Sequence, residues 1–168
     1  ALAVLNEVEL RSRDNQAVIS KLGPHTGHVN ALAFTADGAK LIAASGAPGV
    51  AGEITIWNTA DGKLLKRFAG HKDAIYGLAI TADGKTIATG SYDQKIILWD
   101  TASAAPLRTL SGHSGAVGDV AFRPDGNVLA SASADRTVKL WDGATGNRLD
   151  TRSEPTKEQQ TLLFRPDV

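Results

Sequence analysis

The sequence predicts an all-β fold made from one four-stranded antiparallel unit used repeatedly. Three observations support this. First, Asp-Gly pairs separate short strand-like runs at Asp37-Gly38, Asp83-Gly84 and Asp125-Gly126, and Gly accepts the positive φ that tight hairpin turns demand. Second, a shift of 42 residues lays His71 on His113, Asp93 on Asp135 and Trp99 on Trp141; a further 46 brings His25, Asp37-Gly38 and, after an insertion, Trp57 into the same places. Third, no stretch reads as a helix and no low-complexity linker divides the 168 residues.

In chain order, residues 1–5 read as the tail of one strand and residues 7–11 as the next. Val8 and Leu10 fall where Val138 and Leu140 fall in the best-formed unit, and Arg11 takes the place of its Trp. Asp14-Asn15 turns the chain into an outer strand at 17–22. The second unit has an inner strand at 30–34, a return strand at 40–45, a third at 53–57 and a fourth at 63–68. Its 46–52 loop is four residues longer than the matching turns. The third and fourth units repeat this order without the insertion. The last has strands at 117–122, 127–133 and 137–141, the final one rich in β-branched and bulky residues. Residues 153–161 are polar, and Leu162 to Asp167 match Val120 to Asp125, an inner strand entering its turn. The predicted boundaries are therefore 1–22 (a partial unit), 23–68, 69–110 and 111–152, with 153–168 supplying the first strand of the partial unit.

A period of about 40–45 residues with Gly-His near its start and Trp-Asp at its end marks four-stranded propeller blades. On Gly70-His71 with Trp99-Asp100, and Gly112-His113 with Trp141-Asp142, the chain resembles the WD-repeat family. The resemblance implies an all-β propeller with four blades per chain, one of them split between the termini. It also implies a buried chain of hydrogen bonds in each full unit, from Trp to Ser to His to Asp. The residues at those places are His71, Ser91, Asp93 and Trp99, and His113, Ser133, Asp135 and Trp141. The insertion unit has His25, Ser45 and Trp57 but no matching Asp; Glu53 is the nearest carboxylate, two residues late. The partial unit has Pro155 for His and Arg11 for Trp, so no such chain is expected there.

Ser, His and Asp are also the members of a hydrolase triad. A trio repeated at the unit spacing fits a structural device better than a nucleophile, because buried polar groups must be paired. The expectation is therefore that the chain is not an enzyme. Basic and acidic residues balance at 18 each and there is no cysteine, which excludes thiolate catalysis and Cys-ligated zinc and leaves no basic footprint for nucleic acid. No apolar run approaches the roughly 18 residues that span a bilayer. His25 and His28 form an H-x-x-H pair, too few ligands for a metal site. The 46–52 loop lacks the helix N-terminus a phosphate cradle needs. No cofactor and no membrane partner are expected.

What remains is a surface for recognition. Tyr76 and Tyr92 are the only tyrosines, and the family layout implies that both open on the same end as His28, Asn30 and the long loop with Pro48 and Val50. Tyrosine is favoured at binding hot spots. The predicted function is a non-catalytic scaffold for an unknown protein or peptide. Small residues at the centres of the inner strands (Ala33, Ala79, Ala121) suit closely stacked sheets. That points to an eight-bladed homodimer, with each C-terminal strand completing the partner's first blade. Two other readings are a recognition region of a larger bacterial protein with a c-type cytochrome module, and an excised or engineered fragment, the latter suggested by the absence of methionine.

Overall fold

The computed structural model describes residues 1–153. The predicted C-terminal strand lies outside the described residues. Among the described residues, fifteen strands form four antiparallel sheets. Sheet 1 contains β1 (Leu2–Val4), β2 (Glu7–Arg11) and β3 (Val18–Leu22). Sheet 2 contains β4 (His28–Phe34), β5 (Lys40–Gly46), β6 (Glu53–Asn58) and β7 (Leu64–Ala69). Sheet 3 is β8 (Ile75–Ile80), β9 (Thr86–Ser91), β10 (Ile96–Asp100) and β11 (Pro106–Leu110). Sheet 4 is β12 (Val117–Phe122), β13 (Val128–Ser133), β14 (Thr137–Asp142) and β15 (Arg148–Ser153). Strands pair in sequence order within every sheet.

The turns follow from local chemistry. Gly38, Gly84 and Gly126 take φ near 70° (69°, 71° and 74°), and their N–H groups donate to the carbonyls of Thr35, Thr81 and Arg123 at 2.8 Å. The preceding carboxylates of Asp37, Asp83 and Asp125 accept from the backbone two residues on at 2.9–3.1 Å. Such Asx turns stabilise the reversal without help from the core.

The inner strand of the second unit begins at His28, earlier than predicted, because Asn30 is a bulge. The pairing skips one residue between Val29 and Ala31, between Ile75 and Gly77, and between Val117 and Asp119. Asn30, Tyr76 and Gly118 are thus equivalent, each released from the strict alternation of its strand.

Three apolar clusters join consecutive sheets. Val8, Leu10 and Leu22 meet Leu41 and Trp57 between sheets 1 and 2. Ile54 and Ile56 meet Ile97 and Trp99 between sheets 2 and 3. Ile96, Leu98 and Leu110 meet Leu129 and Trp141 between sheets 3 and 4. The inner strands approach almost to backbone contact: a Cβ on Gly77 would lie 3.0 Å from the Asp119 backbone. Small residues there are a packing requirement.

Candidate functional site

In sheet 3 the Trp99 indole N–H donates to Thr89 Oγ1 at 2.8 Å. His71 Nε2 meets the same hydroxyl at 2.8 Å, and His71 Nδ1 faces Asp93 at 3.0 Å. Sheet 4 repeats this: Trp141 Nε1 to Ser131 Oγ at 2.8 Å, His113 Nε2 to Ser131 Oγ at 2.7 Å, and His113 Nδ1 to Asp135 Oδ2 at 2.8 Å. The second carboxylate duty also repeats, since the Lys72 and Ser114 N–H groups donate to Asp93 and Asp135 at 2.9 and 3.0 Å.

The central hydroxyl therefore differs from the sequence expectation, which placed Ser91, Ser133 and Ser45 there. Trp99 lies opposite Ile87 and Thr89 lies opposite Ile97, so indole and Thr89 are diagonal neighbours on one face, within reach of a long side chain. Ser91 sits one further two-residue step away, about 7 Å along the strand. It instead donates to the Asp73 and Ala74 carbonyls and accepts the Asp93 N–H at 3.1 Å. Ser133 likewise donates to the Gly115 carbonyl at 3.0 Å and accepts the Asp135 N–H. Both serines fasten turns.

Sheet 2 relocates the hydroxyl. Position 43, equivalent to Thr89 and Ser131, is Ala. Its cross-strand partner is Thr55, and Thr55 Oγ1 accepts from Trp57 Nε1 at 2.8 Å and meets His25 Nε2 at 3.0 Å. Ser45 Oγ donates to the Glu53 carbonyl at 3.4 Å. His25 Nδ1 turns to the Asn6 carbonyl at 3.0 Å rather than to a carboxylate. Glu53 takes over the other carboxylate duty, accepting from Thr26 N–H at 3.2 Å and pairing with Arg67 at 2.7 Å.

A carbonyl or carboxylate only accepts, so Nδ1 of His25 and His113 donates. Neutral rings then accept the hydroxyl proton at Nε2, and every polar atom of the relay is matched. Burial holds the pKa of His113 below the usual 6.5; Asp135 opposes this and Lys139 adds to it. Burial likewise lowers His25, against the Asn6 carbonyl and Glu53. Burial alone would raise Asp93, but bonds from His71 and the Lys72 N–H outweigh it and bring the carboxyl to about 2.

The proposed recognition residues meet at one end of sheets 2 and 3. The long loop is pinned across the gap: Gly49 N–H donates to Asp73 Oδ1 at 3.0 Å, and a Cβ on Gly52 would lie 2.7 Å from the Asp73 carbonyl. Tyr92 N–H donates to the Ala74 carbonyl at 3.0 Å. The half-buried Tyr76 ring lies 6.4 Å from that of Tyr92, tilted by 58°, and Tyr92 is 54% exposed. Pro48, Val50 and His28 are exposed. Asn30 departs from expectation: its amide donates to the Ile75 carbonyl at 2.9 Å, so it clamps two sheets together instead of facing outward. The shallow clefts at the opposite end, the larger about 370 Å³ between the Asp83 and Asp125 turns, are lined by carboxylates already engaged by Thr81 and Arg123.

The family description "WD domain, G-beta repeat" matches residues 16–58, 62–100 and 104–142. The chain belongs to the WD-repeat family. Each matched segment closes on Trp57, Trp99 or Trp141 and the residue after it, and the sheets are propeller blades. WD-repeat relatives include the human intraflagellar transport protein 122 homolog, 41% identical over 69 residues (41% of this chain, 5% of that one). A WD repeat-containing protein of Synechocystis is 39% identical over 95 residues, 56% of this chain and 26% of its own length. The structure of U3-55K superposes with a TM-score of 0.71 at 29% identity, over 77% of this chain and 40% of that one; RRP9 WD40 repeats match equally. The chain thus spans a small part of the curated relatives and under half of these solved WD-repeat chains.

Two outcomes follow from the relay. Thr89→Val and Ser131→Ala each keep most of the packing but strand a buried indole N–H. Each is expected to cost about 1–3 kcal/mol in denaturant unfolding, and unchanged midpoints would contradict the relay. The lowered pKa values of His25 and His113 mean that the unfolded chain binds more protons once pH falls below about 6.5. Their contribution is complete above that value and fades below it. The melting temperature is expected to drop between about pH 7.5 and about pH 5, and a flat or rising profile would contradict the assignment.

Proposed function

We propose that the chain is a non-catalytic scaffold that binds a protein or peptide at the end carrying Tyr76, Tyr92 and the 46–52 loop. The observation that carries this reading is the tyrosine pair itself. Two rings stand together beside a loop pinned to Asp73, so aromatic area is presented with little entropy left to lose on binding. The His, Ser and Asp side chains that suggest hydrolysis are spent on buried hydrogen bonds and turn closure, which supports the non-catalytic reading.

The same chain reads as half of a ring that closes by pairing with a second copy. Supporting this, the strand pairs in substantial contact join each blade only to the next, and among the described residues none joins sheet 4 to sheet 1.

The recognition surface is tested by selecting displayed random peptides on the wild-type chain and measuring the enriched ones against Tyr76→Ala/Tyr92→Ala. Loss of about tenfold or more in affinity is expected if the pair is a hot spot. Enriched peptides that bind the folded double variant at full strength would contradict it.

A further inference from the structure

Charge is presented differently at the two ends of the blades. At the end carrying the Asp-Gly turns, the side chains of Asp61, Asp83 and Asp125 are 42–54% exposed. Each pairs with the basic residue of its own turn, Lys63 and Lys85 at 3.3 Å and Arg123 at 2.6 Å. At the end carrying Tyr76 and Tyr92 the carboxylates turn inward. The side chains of Glu53, Asp93 and Asp135 are only 6–11% exposed, and Asp73 accepts from the Gly49 and Ala74 N–H groups at 3.0 and 2.7 Å. Lys72 and Lys95 are exposed at this end. Among the described residues, neither ammonium group has a hydrogen-bond or ion-pair partner.

Both lysines are fixed through their backbones. The Lys72 N–H donates to one oxygen of Asp93 at 2.9 Å and the Lys95 N–H to the other at 3.0 Å, so the two residues flank a single carboxylate. The turn that holds Lys95 begins at Tyr92, whose ring lies beside that of Tyr76. The fold does not require these four side chains. Blade 4 carries Ser114, Gly118, Ala134 and Thr137 at the positions of Lys72, Tyr76, Tyr92 and Lys95, yet forms the same relay and the same backbone bonds to its carboxylate. A single exposed lysine is ordinary on any surface. Here two rings and two ammonium groups replace small or neutral residues together, in one blade, around one turn.

We propose that this site takes an acidic peptide segment, its carboxylates held by Lys72 and Lys95 and a neighbouring apolar side chain packed on Tyr92 and Tyr76. This rests on the recognition surface proposed above and adds the chemistry of its ligand. Charge complementarity selects the occupant. Asp93 is engaged by His71 and two backbone N–H groups, so a docked chain meets ammonium donors and ring faces, and ammonium donors bond most strongly to carboxylates. A nucleic-acid strand needs a groove of positive charge that tracks its backbone, and the adjoining loop carries no charged residue from 42 to 52.

Peptides enriched from random display on the wild-type chain test this by their composition and their charge dependence. They are expected to carry Asp or Glu beside an aromatic or aliphatic residue. By fluorescence anisotropy, their affinity is expected to fall about tenfold or more in Lys72→Ser/Lys95→Thr. That variant installs the residues of blade 4 and is expected to keep the circular dichroism spectrum unchanged. Affinity is also expected to fall as salt is raised from about 50 mM to about 500 mM. Lys72→Glu/Lys95→Glu is expected to reverse the preference, binding the same peptides once their acidic residues are changed to Lys. Enriched peptides that need Tyr76 and Tyr92 but are uncharged or basic, and indifferent to the lysine substitutions and to salt, would overturn the acidic ligand while leaving the recognition surface intact. So would a single-stranded oligonucleotide that displaces the peptides and depends on both lysines. Peptides indifferent to the tyrosine and lysine substitutions alike, or no enrichment at all, would overturn both.

Discussion

One buried hydroxyl, shared between an indole N–H and an imidazole nitrogen, is the contact on which the architecture turns. It sits between the second and third strands of a blade and reaches the loop that enters the inner strand, so three separate stretches of chain depend on it. Its consequence extends beyond the blade. The indole it orients is the surface that the preceding blade packs against: Phe68 on Trp99, Leu110 beside Trp141. A polar relay within one blade thus places an apolar contact between two. Because each relay atom is desolvated, a missing partner is costly, whereas the intact set costs little.

The variation among blades obeys the same constraint. In blade 2 the hydroxyl moves from position 43 to Thr55, directly across the ladder, and the relay survives because the two side chains share a face. The lost Asp is replaced by two groups, the Asn6 carbonyl for the imidazole and Glu53 for the Thr26 N–H. Blade 1 has abandoned the device: Leu2, paired with Glu9, stands at the hydroxyl position and Arg11 at the Trp position.

Much of this was legible in the sequence. The Asp-Gly turns and the recurring His, Asp and Trp revealed the strands, their order and the outer members of the relay. The hydroxyl was misplaced because Ser recurs identically at 45, 91 and 133, whereas the working position reads Ala, Thr, Ser and looks unremarkable until strand pairing shows Thr55 opposite Ala43. Serine identity tracked the turn, which needs a side-chain acceptor two residues before Asp93 and Asp135. The inner-strand bulge was invisible because an extra residue changes no local propensity, and Asn30 differs from Tyr76 at the equivalent position only through its amide, which reaches the Ile75 carbonyl.

The direction of the relay is the central claim, and nitrogen spectroscopy of the imidazoles tests it most directly. Long-range ¹H–¹⁵N correlation on uniformly labelled protein near neutral pH should show His113 and His25 as neutral rings, with the proton on Nδ1 and an acceptor-type Nε2 shift. Nε2 carrying the proton in those rings, or tautomers averaging as in a solvent-exposed histidine, would contradict it.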